Sequence, residues 1–235
     1  MNNRASSPKA ALSRRKFLGT ALAGTAATLA GATSMSFFGT NPAFAQSNLT
    51  PDEVLKILLD GNERYATGRL TSFGEDMKIL RDHTVEKQEP FAAVLSCADS
   101  RVPVEIIFDQ TIGHIFVTRV AGNVVTPEII GSLEYGAAVL GTKVILVLGH
   151  AGCGAVKAAI QGKAVPGQIS SLFAHIQPAV DQAGHDLPAA TQANAKNQAA
   201  LLQSASPVLA PLVQEKKLKI VAGYYDLATG KVSLD

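Results

Sequence analysis

The 235-residue chain carries 21 Lys+Arg against 19 Asp+Glu, but all five charged residues of its first 45 (Arg4, Lys9, Arg14, Arg15 and Lys16) are basic. The remaining 190 residues therefore hold 16 basic against 19 acidic groups, a net charge of −3. With no Lys/Arg cluster interleaved with aromatics, nothing points to nucleic acid, and the length suits one domain with a substantial core.

The N-terminal stretch reads as an address label. Ser13-Arg14-Arg15-Lys16-Phe17-Leu18 matches a twin-arginine pattern, a modestly apolar Ala/Gly/Thr/Leu run follows, and Ala43-Phe44-Ala45 is an A-x-A cleavage site. Residues 1–45 are thus expected to be a signal peptide and 46–235 the mature domain, exported to the periplasm or the exterior. A membrane anchor needs about 20 strongly apolar residues; Gly, Thr and Ser dilute this stretch, so no stable anchor is expected. The leader has no cysteine, which excludes lipid attachment there.

Thr50-Pro51-Asp52-Glu53 is a helix start, with a hydroxyl cap, proline at the first helical position and Glu53 placed for a capping box. Val54, Leu55, Leu58 and Tyr65 give a helix over 51–66 an apolar stripe, which must be covered by the domain body or by a second subunit. Residues 70–88 are polar without a period and read as loop plus a short helix. Three short apolar runs follow at Phe91 to Ser96, His114 to Thr118 and Val144 to Leu148, each of the kind a strand covered on both faces requires. A helix over 127–140 is set between the second and third by Thr126-Pro127 and stopped by Gly141. Helices are predicted over 154–162, 168–182 and 188–205, then a strand over 218–225, a turn at Ala228-Thr229-Gly230 and a last short strand over 231–234. This order predicts a single α/β domain: a mostly parallel central sheet of about four strands, a C-terminal antiparallel edge strand and flanking helices.

Both cysteines lie at strand ends. Two cysteines in an exported chain first suggest one disulfide. Cys97, however, follows the first strand and His150 the third, and in open parallel sheets sites gather at the carboxyl ends of strands. If those strands are neighbours the two side chains converge, and Cys153, three residues on at a helix start, reaches the same point. Two thiolates and one imidazole suit zinc, and three protein ligands leave a fourth position for catalysis. Water bound there would have its pKa lowered to about 7. Asp99, two residues from Cys97, would accept a hydrogen bond from that hydroxide or ligate the metal itself, and Arg101 would decide between these by holding it. The bland alternative for Asp99 and Arg101 is a surface ion pair worth about 0–1 kcal/mol. His83, His175 and His185 read as solvated, and His114 as structural.

Cys97-Ala98-Asp99-Ser100-Arg101-Val102-Pro103 together with Gly149-His150-Ala151-Gly152-Cys153-Gly154 resembles the paired signatures of the β-class carbonic anhydrases. Gly61-Asn62-Glu63-Arg64-Tyr65, Arg119-Val120-Ala121-Gly122-Asn123, Gly131-Ser132-Leu133-Glu134-Tyr135, Ser206-Pro207-Val208-Leu209 and Tyr225-Asp226-Leu227-Ala228-Thr229-Gly230 are similar to family segments in family order. The resemblance implies Zn2+ on Cys97, His150 and Cys153, with Asp99 and Arg101 as a catalytic dyad. It also implies reversible hydration of carbon dioxide to bicarbonate through zinc-bound hydroxide, with Asp99 moving onto the metal in a closed state. Gln88, nine residues before Cys97, stands where the family often has a substrate-positioning glutamine. Ala98 replaces a common serine and is expected to point away from the ligands. The chain has no tryptophan, so the inhibitory bicarbonate pocket of some members is not expected. A homodimer or larger homo-oligomer is implied, with the 51–66 helix embracing the partner. Two other readings use the same ligands: a hydrolase of carbonyl sulfide or carbon disulfide, and a non-catalytic zinc-binding protein.

Overall fold

The computed structural model describes residues 47–72 and 84–234; the expected leader, His83 and the middle of the polar stretch over 70–88 lie outside them. The first element, α1, runs over Pro51–Ala66 and starts as its sequence dictates: Glu53 N–H donates to Thr50 Oγ1, while Glu53 Oε2 accepts from Thr50 N–H at 2.7 Å. Its apolar stripe packs on the domain's own body. Val54 and Leu58 are fully buried against Val94, Leu146 and Leu148.

Five strands form one sheet in the order β2-β1-β3-β4-β5, with β1 at Ala92–Ser96, β2 at Ile115–Arg119, β3 at Val144–His150, β4 at Lys219–Tyr225 and β5 at Val232–Leu234. The first four are parallel and β5 is antiparallel to β4. Every residue of β1 and β3 is buried, as continuous apolar runs require when helices cover both faces. Between β1 and β2 a short helix, α2 (Val104–Ile107), which the sequence pattern did not show, packs beneath α1.

Three departures from the expected helices occur after β2. Helix α3 covers only Pro127–Glu134 and widens into a π turn over Tyr135–Val139, where Leu140 N–H reaches Tyr135 O at 3.1 Å; Gly141, at φ 79°, then ends it as expected. Helix α4 spans Gly154–Gln161. A 3-10 turn at Gly167–Leu172 precedes α5 at Phe173–Ala183, and α6 follows at Leu187–Ala205, capped by Asp186. A further short helix, α7 at Leu209–Gln214, leads into β4.

The helices divide the core into three. On one face of the sheet α1 and α2 cover Val94 and Leu146; on the other α3 and α6 bring Leu133, Ala195, Ala199 and Leu202 onto Ala93, Leu95, Ile145 and Val147. The third part lies beyond the strand ends, where Cys97 and Cys153 are packed with Val124, Val156, Ile176 and Val180.

Polar groups of α1 tie this frame together. Asn62, buried, donates to Ile107 O and Gly230 O and accepts from Val232 N–H at 2.8 Å. Asp109, whose side chain has no exposed surface, accepts from Arg64 Nε, from the Thr71 and Ser72 amides and from Thr71 Oγ1. Burial opposes its charge, but these donors, Arg64 foremost, hold the carboxyl well below the usual carboxylate range.

Candidate metal centre

The parallel register explains why three distant residues meet. Leu95 pairs with Val147 and Ser96 with Leu148, so Cys97 leaves β1 level with the end of β3, where His150 sits. The turn Ala151-Gly152 then brings back Cys153, the residue that precedes α4. One ligand atom each from Cys97, His150 and Cys153 falls in a group within 4.8 Å of one another, all three residues buried. Both cysteines are free thiols, which sets aside the disulfide.

The imidazole is oriented for a cation. His150 Nδ1 lies 3.0 Å from Ala151 O; a carbonyl accepts, so Nδ1 carries the proton and the Nε2 lone pair faces the sulfurs. Nε2 is buried and makes no hydrogen bond among the described residues, an arrangement that is costly unless something electrophilic meets it. The sulfurs are also unequal. The neighbouring Cys153 thiol, against the effect of burial, helps pull Cys97 down to about 4, with the Gly122 and Asp99 amides assisting. Cys153, beside that sulfur and deeply buried, is pushed up. Thiolate character next to a neutral imidazole is the donor chemistry of zinc, and the residues present fit it.

Asp99 and Arg101 stand beside this group. Asp99 Oδ1 accepts from Arg101 N–H at 2.9 Å and Nε at 3.0 Å, and Oδ2 accepts from Arg101 Nη2 at 2.8 Å. The Arg101 guanidinium thereby holds the Asp99 carboxyl well below the usual carboxylate range. Oδ2 is 3.9 Å from His150 Nε2, so the pair is no remote surface contact: it forms one edge of the centre, and the carboxylate rests on arginine.

Other expected residues fall elsewhere. Gln88 is exposed in the irregular segment ahead of β1, and the five extended residues of that strand, roughly 16 Å, separate its start from the ligands. Ala98 is exposed, as is His185. His114 stacks at a tilt on Phe91, with ring centroids 5.6 Å apart.

Two residues matter more than their sequence signal suggested. Arg119, at the end of β2, donates from Nε to Cys97 O (3.0 Å) and from Nη2 to Asp99 O (2.5 Å), pinning the loop that carries ligand and carboxylate. Gly122, at φ 75°, presents its amide to Cys97 Sγ at 3.3 Å. A Cβ at Gly122 would come within 2.9 Å of Ile176 Cδ1, so the turn needs glycine for its angle and for space. The Gly-Asn pair just after a strand, Asn123 also having positive φ, was the available sequence signal.

The sequence profile of the carbonic anhydrase family matches residues 92–232, from the start of β1 into β5. The chain belongs to the carbonic anhydrase family. It is 34% identical over 195 residues to carbonic anhydrase 2 of Mycobacterium tuberculosis, covering 80% of this chain and 94% of that protein. It is 35% identical to a carbonic anhydrase of Mycolicibacterium smegmatis, with the same coverage. The β class is shown by 30% identity to β carbonic anhydrase 3 of Arabidopsis thaliana, over 83% of this chain and 85% of that one. Among solved structures, a tetrameric β-carbonic anhydrase of Sordaria macrospora superposes with a TM-score of 0.62 at 20% identity, covering 77% of this chain and 96% of that one. The two ligand-bearing loops and the Arg119 and Gly122 contacts all fall inside the residues that match the carbonic anhydrase profile.

Proposed function

We propose that this chain catalyses the reversible hydration of carbon dioxide to bicarbonate and a proton, with zinc held by Cys97, His150 and Cys153. The observation that carries the reading is the joining of a buried Cys-His-Cys group to an arginine-held carboxylate 3.9 Å from its imidazole. A protein that only stored zinc would have no use for the carboxylate.

Zinc on three protein ligands supplies a Lewis acid that lowers the pKa of water to about 7, so that a nucleophile is available at neutral pH. The chain's own groups do the rest. Asp99, kept ionised by Arg101, can only accept hydrogen bonds, so a water at the centre directs one O–H at Oδ2 and turns a lone pair toward the substrate. Since three N–H donors from one arginine fix that carboxylate, its orientation needs little rearrangement during reaction. Val124, Val156 and Ile176 pack the sulfur side with buried apolar groups, which keeps water from the two sulfurs on that side. With its pKa so low, Asp99 does not keep the product proton, which passes to buffer.

The test is stopped-flow carbon dioxide hydration with a parallel zinc assay. The wild type should hold one zinc per chain and be active, and Asp99→Asn should lose roughly 10²-fold in kcat/KM with zinc unchanged. Full activity in Asp99→Asn would sink the orienting role.

Export and self-association belong to the same proposal. The Arg14-Arg15 leader supports export of the folded chain, with zinc loaded before the thiols meet an oxidising compartment. Ile112 and Tyr135, 42% and 44% exposed, flank the open edge strand β2 and support a homo-oligomer. Intact-mass analysis and light scattering on protein from the exported fraction should give a chain starting near Gln46 and a multiple of its mass; a full-length monomer would reject both.

A further inference from the structure

Helix α6 carries a polar stripe in a place where a helix normally buries only apolar groups. Asn194 is fully buried and Gln198 nearly so, and removing two amides from water costs free energy unless each is spent on a specific bond. Their bonds form one connected path. Gln198 Oε1 accepts from Val125 N–H at 2.7 Å, and its Nε2 donates to Asn194 Oδ1 at 3.2 Å and to His175 O on α5 at 3.0 Å. Asn194 Nδ2 donates to Gly122 O at 2.8 Å, and the Gly122 amide reaches Cys97 Sγ at 3.3 Å.

The two amides therefore grip the turn 121–125 at both ends, Gly122 O and Val125 N–H, and the turn's one N–H on sulfur is carried by the residue so gripped. A helix that needed only to cover the sheet would place alanine or leucine at both positions, as α6 does at Ala195, Ala199 and Leu202. Neither amide touches the ligand atoms or reaches the open side of the centre, so neither has a direct part in the reaction.

We propose that Asn194 and Gln198 are positioning residues for the metal: they aim the Gly122 amide at Cys97 and so set how firmly that sulfur holds the cation. The proposal rests on the zinc reading above. Groups that hydrogen-bond a metal ligand commonly change affinity by about 10–100-fold when removed, and here the donor is a backbone amide that only proline would delete, at a φ of 75° which proline cannot adopt, so its aim is best altered through α6.

The test uses the holoenzyme and two readouts independent of turnover: the rate of zinc loss to excess chelator, and the sulfur-to-metal charge-transfer band of the cobalt(II)-substituted protein. Asn194→Ala should release zinc about 10–100-fold faster and shift the band. Gln198→Glu, which keeps the acceptor for Val125 but replaces the donor to Asn194 Oδ1 and His175 O with a carboxylate oxygen that repels both, should move both in the same direction, and serves alone if Asn194→Ala does not accumulate. Leu202→Ala, a buried apolar truncation in the same helix, should lower stability and leave both readouts at wild-type values. Native release and a native band in Asn194→Ala, or in Gln198→Glu when it stands alone, would overturn the proposal, as would equal changes in Leu202→Ala. A wild-type protein that takes up no cobalt would instead overturn the metal reading.

Discussion

His150→Ala is expected to leave a folded protein that holds less than a tenth of the wild-type zinc and hydrates carbon dioxide more than about 10³-fold more slowly, since lowering the pKa of water requires the metal. Within the candidate metal centre the loss of His150 cannot be made up locally. The sulfurs of Cys97 and Cys153 alone provide half of a tetrahedral set. The nearest other donor, Asp99, is committed to Arg101 through both oxygens, and drawing it onto a cation would break bonds to a charged group worth about 1.5–3 kcal/mol each. Zinc by atomic absorption, circular dichroism and stopped-flow hydration on the same sample check the result. A variant with stoichiometric zinc and a rate within tenfold of wild type would remove His150 from the ligand set.

The placement of that ligand was legible because it depends on local pattern and strand direction. Continuous apolar runs mark β1 and β3, and parallel strands point their carboxyl ends the same way; that the two strands are neighbours was the one condition the sequence left open, and the sheet order β2-β1-β3 meets it, bringing Cys97 and His150 together. The capping box at Thr50 and Glu53 was equally legible, since every bond in it spans three residues. What the sequence hid are contacts whose partners lie far along the chain. Asn194 meets Gly122 across 72 residues, and an Asn in an Ala/Gln-rich helix reads as a solvated face. Arg119 is an exposed arginine until the carbonyls of Cys97 and Asp99 are placed before it. The π turn after Glu134 inserts a residue without any change in the local apolar spacing, so a helix reaching Gly141 was the natural expectation. The α1 stripe was left between two covers because amphipathicity states that a face is buried and never by what.

Gly61 shows how far such packing can reverse a local rule. In a helix interior glycine is about 1 kcal/mol worse than alanine, so propensity alone predicts that Gly61→Ala stabilises the protein. At this position, however, an added Cβ would lie 1.9 Å from Phe108 O and 2.8 Å from Phe108 C. Both are backbone atoms just past α2, and no rotamer change can clear them. Either α1 lifts or the Phe108 segment shifts, and each movement breaks bonds set by the next residues of α1: Asn62 to Ile107 O, Gly230 O and Val232 N, and Arg64 to Asp109. We expect a net loss of more than about 4 kcal/mol, the range reserved for overpacking joined to broken buried polar networks, read as a urea midpoint far below wild type or a failure to accumulate. The damage should also reach the metal centre, because α2 begins three residues after Arg101 and a shift there tilts the loop that carries Asp99. In whatever protein folds, carbon dioxide hydration should therefore fall further than zinc content does. A Gly61→Ala protein as stable as wild type would show that α1 does not sit on the Phe108 carbonyl.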